Sequence, residues 1–203
     1  MINLIARIIA LKLTALALAG CVAPASTDPA DLPSGAWRLD EDHARVTWRV
    51  RHLGLSWYVA RFDTADARLN FDPADPASAE LTAIVDAASV STGDREFDET
   101  LRGSSWLDAE NHPEIIFRST RIEVTGQNTG RIHGELTLKG VTADAVMETE
   151  FYGGTFNPLE RTQALGFGAD LVIDRTQFGV GRLPGNFIGD EVRLRIEAEF
   201  LRQ

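Results

Sequence analysis

The chain has 203 residues, 44% of them apolar and 25% charged, which is the composition of a globular protein with material for one sizeable core. Lysine and arginine total 20 against 30 aspartates and glutamates. The formal charge of -10 argues against nucleic acid or anionic head groups as partners of the general surface, while leaving room for a local basic pocket.

Residues 1–20 are apolar apart from a few polar positions, Arg7 and Lys12 among them, too short and too broken by charge for a comfortable spanning helix. They read as a signal peptide. The run ends in Leu18-Ala19-Gly20-Cys21, which resembles a bacterial lipobox, so cleavage before Cys21 and acylation of that cysteine are expected. Cys21 is the only cysteine, which excludes an internal disulfide. Several acyl chains would hold the protein stably at a membrane, and Val22 fits delivery to the outer membrane, on its periplasmic face. Residues 21–35, rich in Ala, Pro, Ser and Asp, read as a flexible tether, and one domain is expected over 36–203.

From Ala44 to His52 the residues alternate as in a half-buried strand, with Val46, Trp48, Val50 and His52 on the apolar face and three arginines on the other. Residues 67–71 alternate again, placing Leu69 and Phe71 inward, and stop at the turn Asp72-Pro73-Ala74-Asp75-Pro76. A strand is expected over 80–90, then a short helix over 94–102 capped by Thr92 or Asp94, followed by a loop. Further strands follow at 115–124, 131–139, 144–152, 165–173 and 192–200, with a hairpin loop at 126–130 and a loop at 153–161. Their inward rows include Leu136 and Leu138, then Phe167, Leu171 and Ile173; His133 faces solvent. The last row could close a barrel against the first strand or pair between two subunits; closure is favoured because a long exposed edge invites aggregation.

About eight antiparallel strands and one helical excursion predict an all-β barrel or sandwich, and a barrel of that size is either filled by side chains or open for one small ligand. No catalytic motif stands out. The four histidines lack HxH or HxxxH spacing, so no metal site is expected, and Gly179-Val180-Gly181 lacks the third glycine and following helix of a nucleotide site. No cofactor is implied.

Six blocks carry a family resemblance. They are Trp37-Arg38-Leu39-Asp40 with Asp42-His43 and Val50-Arg51-His52-Leu53-Gly54; Ser91-Thr92-Gly93-Asp94-Arg95; Asn111-His112-Pro113-Glu114 through Thr120; Gly134 through Thr142; and Ile173-Asp174-Arg175-Thr176-Gln177-Phe178-Gly179-Val180. In this order they resemble the YceI-like family. The resemblance implies a lipocalin-like closed antiparallel barrel of the bacterial periplasm enclosing a polyisoprenoid or quinone-like chain. It implies that the inward rows line a tunnel and that His52, Asp94, Arg95 and Arg175 hold a polar head group. Arg95 and Arg175 each adjoin an aspartate and have loop bracing as the alternative role. The chain departs from the family pattern at Ala44, Ala60 and Glu96, and Trp57-Tyr58 is either an aromatic gate or core. Two other functions stay open: an isomerase or hydrolase with His52 as general base near an Asp, and a filled barrel serving in envelope stress or interaction.

Overall fold

The computed structural model describes residues 24–203. Cys21, the signal segment and the start of the tether lie outside the described residues. The strands are β1 (Gly35–Leu39), β2 (Arg45–His52), β3 (Ser56–Phe62), β4 (Ala65–Phe71), β5 (Glu80–Asp86), β6 (Val90–Ser91), β7 (Glu114–Val124), β8 (Thr129–Leu138), β9 (Val141–Asn157), β10 (Thr162–Asp174) and β11 (Ile188–Arg202). One α-helix, α1 (Arg95–Arg102), follows β6.

These eleven segments make an eight-stranded barrel because three strands are interrupted. β1 and β2 form the first, β3 and β4 the second, β5 and β6 the third. All neighbours are antiparallel and sequential, and β11 closes the ring by pairing with β10 on one edge and with both β2 and β1 on the other. Both edges of β11 are therefore used within the chain, and the alternative of pairing between subunits through this row is corrected.

The break between β1 and β2 has a local cause. Asp40 Oδ1 accepts from the amide of Asp42 (3.2 Å), Asp40 Oδ2 lies 2.9 Å from His43 Nδ1, and the amide of Asp40 donates to Glu199 O (2.8 Å). The hydrogen bond to Asp40, reinforced by its charge, holds the His43 imidazolium above its usual pKa. This turn redirects the strand, so that its first half meets the end of β11 and its second half the start.

Three expectations need correction. The Ser56–Phe62 strand was not marked by alternation alone, because Trp57 and Val59 put apolar side chains on its outer face. β9 runs on through Gly153 and Gly154 to Asn157 where a loop was expected; a bulge opposite Gly166 and Phe167, with Gly153 at φ +113°, absorbs the glycines. Ordered contacts also begin before Trp37: Ser26 and Gly154 exchange backbone hydrogen bonds of 2.9 and 2.8 Å, and Leu32 is buried. His133 is on the outer face as expected but is partnered, with Nε2 3.3 Å from Glu123 Oε2.

α1 lies at one end of the barrel, capped as the sequence suggests. Asp94 Oδ1 accepts from the amides of Glu96 (3.0 Å) and Phe97 (3.3 Å). Inside the helix, buried Asp98 accepts from both the amide and the hydroxyl of Thr92 at 2.7 Å. The Thr92 hydroxyl is the main reason its carboxyl is held below the usual range. A depressed carboxyl contributes stability above the unfolded pKa and loses it as pH falls through the folded value. Asp98→Asn is therefore expected to lower the melting temperature at pH 7, with the gap to wild type closing below about pH 4; thermal unfolding followed across pH checks this.

Candidate functional site

The inward rows do not fill the barrel. Small residues recur on them (Ala65, Ala67, Ala83, Ala143, Ala145, Ala169), and Gly134 has no room for a side chain, since a Cβ there would lie 2.4 Å from the Phe117 ring. The result is three cavities of about 430, 150 and 480 Å³ stacked along the barrel. Val46, Val85, Ile115, Leu136, Leu171 and Leu194 border both the first and the second. Leu69, Ile132, Thr149 and Phe167 border both the second and the third. Neighbouring cavities thus share walls, and the row is a tunnel pinched at two levels, apolar through the first two cavities and partly polar in the third, where Thr27, Asp28, Gln127 and Asn128 join the lining.

The first cavity opens beside α1, between the β2–β3 turn and the β10–β11 loop. Trp48, Val50, Leu138 and Ile173 line it as expected, with Val46, Leu136 and Leu171 at its floor. Leu69, Phe71 and Phe167 belong lower down. There Phe71, Phe151, Phe167 and Phe200 form an aromatic cluster with ring centroids 5.0–5.9 Å apart, which narrows the barrel.

The polar candidates separate sharply. His52 lies at the mouth, exposed, at the end of the inward row of β2. The histidine–carboxylate pairs among the described residues are His43–Asp40, His112–Asp108 and His133–Glu123, so the aspartate partner needed for a general base at His52 is not found there. Asp94 and Arg95 do not border the cavity: Asp94 spends its carboxylate on capping α1, and Arg95 is exposed. Arg175 borders the cavity and is buried, but its guanidinium is saturated. Nε donates to Gly189 O, Nη1 to Val180 O and Gly181 O, and Nη2 to Leu183 O, Ile188 O and Asp190 Oδ1, all within 2.8–3.2 Å. Five N–H groups already meet six acceptors, leaving none for a head group. The expected pair of head-group arginines is corrected to a loop brace at Arg175, whose acid partner is Asp190 rather than the adjacent Asp174.

The tunnel's own polar atoms are different ones. Trp48 Nε1 and Thr149 Oγ1 are buried without a hydrogen-bond partner among the described residues, one on the wall of the first cavity and the other where the second meets the third. Tyr58 packs between Trp48 (ring centroids 6.3 Å) and the edge of Phe97 (5.6 Å), forming the aromatic gate, whereas Trp57 points outward between Arg49, Arg51 and Arg193. Sequence reading missed Phe97, Leu101 and Trp106 at the mouth; the i, i+4 spacing of Phe97 and Leu101 on a predicted helix was the available signal. Ala60, one of the departures from the family pattern, sits in regular extended β3 opposite Trp48.

A closed eight-stranded antiparallel barrel with an apolar tunnel defines a lipocalin-like hollow barrel. The model of the YceI-like domain matches residues 37–200, and the chain belongs to that family. The UPF0312 protein of Azotobacter vinelandii is 34% identical over 161 residues, covering 79% of this chain and 83% of that one. UPF0312 protein PC1_2518 of Pectobacterium carotovorum is 31% identical over 193 residues, 95% and 99% of the two chains. Among solved structures, Burkholderia cenocepacia BcnA superposes with TM-score 0.72 at 24% identity, covering 79% of this chain and 98% of that one. A polyisoprenoid-binding domain from Saccharophagus degradans superposes with TM-score 0.60 at 13% identity, covering 84% and 100%.

Because Arg175 serves the fold, Arg175→Met is expected to destabilise the protein by about 3–5 kcal/mol, the cost of orphaning a buried polar network. Urea unfolding would show it, and a loss of that size with an empty tunnel would separate bracing from ligand contact.

Proposed function

We propose that the protein binds a long-chain amphiphile of polyisoprenoid type in the barrel tunnel without chemically altering it, and stores or carries that lipid at the cell envelope. The observation that carries this reading is the row of cavities, the first two lined by apolar side chains and the third, at the far end, by apolar and polar ones together, long and narrow where a compact ligand would need one rounded chamber. Each methylene-sized group taken from water there contributes about 0.8 kcal/mol. The Saccharophagus degradans domain, a polyisoprenoid binder, shares the fold.

The polar atoms favour a neutral head group. Trp48 Nε1 offers an unpaired donor and Thr149 Oγ1 a hydroxyl that can donate or accept, suited to a carbonyl or hydroxyl oxygen such as a quinone carries. The buried cation at the cavity wall, Arg175, has no donor left. A pyrophosphate would find no cation with a free donor inside and would stay at the mouth, near His52 and Arg51. The enzymatic reading, with His52 as general base near an aspartate, finds no such pair to support it among the described histidine–carboxylate contacts.

The lipobox supports acylation of Cys21 and attachment at the periplasmic face of the outer membrane. Protein purified from its own envelope is expected to retain an extractable polyprenyl lipid, seen as added mass in native mass spectrometry. Leu194→Trp, which places an indole between the first and second cavities, should abolish that mass while leaving the circular dichroism spectrum unchanged. An empty wild-type barrel that takes up no polyprenyl lipid would refute the reading.

A further inference from the structure

The rim of the tunnel mouth differs from the rest of this acidic chain. Residues 49–58 and 175–189 hold Arg49, Arg51, Arg175 and Arg182 and no aspartate or glutamate, and the acid at the edge of the second segment, Asp190, is bound to buried Arg175. These segments are the two sides of the mouth, joined where the amide of Leu53 donates to Phe187 O (2.8 Å). Their tips carry exposed apolar side chains: Leu53, Leu55 (82% exposed), Leu183 and Phe187 (50%). Leu53 adopts φ +52° and Gly54 φ +69°, so the first of two left-handed turn positions is a leucine where Asn or Asp is the favoured choice. A strained backbone thus holds an apolar side chain in water. Behind the tips, on the outer sheet face, Arg49 and Arg51 flank Trp57 with guanidinium carbons 4.9 and 5.1 Å from the ring centroid. Neither has an acidic partner among the described ion pairs, whereas neighbouring Arg193 is paired with Glu191 at 2.6 Å.

Apolar tips backed by unpaired arginines and an interfacial tryptophan have the chemistry of a surface that enters an anionic bilayer. We propose that this rim docks on an anionic lipid bilayer, with Leu53, Leu55 and Phe187 entering the interface and Arg49, Arg51 and Arg182 meeting lipid phosphates, so that the tunnel opens directly onto the membrane. The inference deepens the lipid-carrier reading and rests on it for its purpose. The exposed acids Asp94, Glu96 and Glu99 belong to α1 and its cap and to neither of these segments. The N-terminal segment joins the barrel at the other end: Ser26 pairs with Gly154, about 40 Å of strand along β9 from Val141, which pairs with mouth residue Leu138. The described N-terminal segment around Ser26 and the docking rim therefore lie at opposite ends of the barrel.

Vesicle flotation of the full chain carrying Cys21→Ser, so that no acyl group contributes, tests the proposal. The protein is expected to float with vesicles of equimolar phosphatidylglycerol and phosphatidylcholine, weakly or not at all with phosphatidylcholine alone, and less as salt rises. Leu55→Asp with Phe187→Asp should abolish flotation, and Arg49→Gln with Arg51→Gln should weaken it by about fivefold for each arginine removed. Leu159→Asp, an equally exposed leucine in the β9–β10 turn, should change nothing. All five sites are at the surface, and equal melting temperatures would confirm that the variants fold. Absence of flotation with both vesicles, or flotation indifferent to the Leu55 and Phe187 substitutions, would overturn the proposal. So would a dimer dissolved by those substitutions without vesicle binding, which would assign the face to a second copy. Lipid extracted from the same samples reports tunnel loading separately, so an empty tunnel counts against the carrier reading and not against docking.

Discussion

The backbone hydrogen bonds that β11 makes to both halves of the first strand hold this barrel closed. One edge of a strand can serve two partners only if they lie end to end, and the Asp40–His43 turn arranges that by stopping β1 and restarting the chain as β2. Closure removes every free edge from that side of the sheet. It also fixes the alternation all round, so the face that looks inward on one strand looks inward on all eight.

With the register fixed, side-chain volume decides whether the interior is solid. Alanines at inward positions of β4, β5, β9 and β10 remove volume at successive levels. Large side chains return only at particular heights, as the phenylalanine cluster near the far end and as Trp48, Tyr58 and Phe97 near the mouth. The cavities lie between these levels. Lining them with alkyl and aromatic carbon forgoes the dispersion contacts a packed core would gain, and a chain-like apolar ligand restores those contacts without disturbing the backbone. The saturated Arg175, at the wall of the first cavity, ties the long β10–β11 loop into one side of the mouth.

Much of the fold was legible because period-two alternation is a direct record of a half-buried sheet. The rows from Val46 to Val50, from Leu136 to Leu138, and from Val192 to Phe200 could be read without reference to any relative. β3 escaped because Trp57 and Val59 are apolar on the outer face, which erases the alternation. The run of β9 past Gly153 escaped because glycine signals a turn as readily as a bulge. The polar site was far less legible. Asp94 was legible as the cap of α1, but Arg175 donates mostly to carbonyls brought near by turns, and no pattern of residue types reveals which carbonyls will converge. Trp48 was placed on the wall correctly, but that its N–H would lack an acceptor depends on the volume left open around it.

The central claim is that this interior is a tunnel measured to a chain. Titration calorimetry with polyprenyl alcohols of increasing isoprenoid number tests it most directly, because burial of apolar surface appears as a negative heat-capacity change on binding. The account predicts that this change grows with each added unit until the three cavities are occupied and then levels off, with affinity following the same course. A heat-capacity change that does not depend on chain length, or no binding at any length, would contradict it.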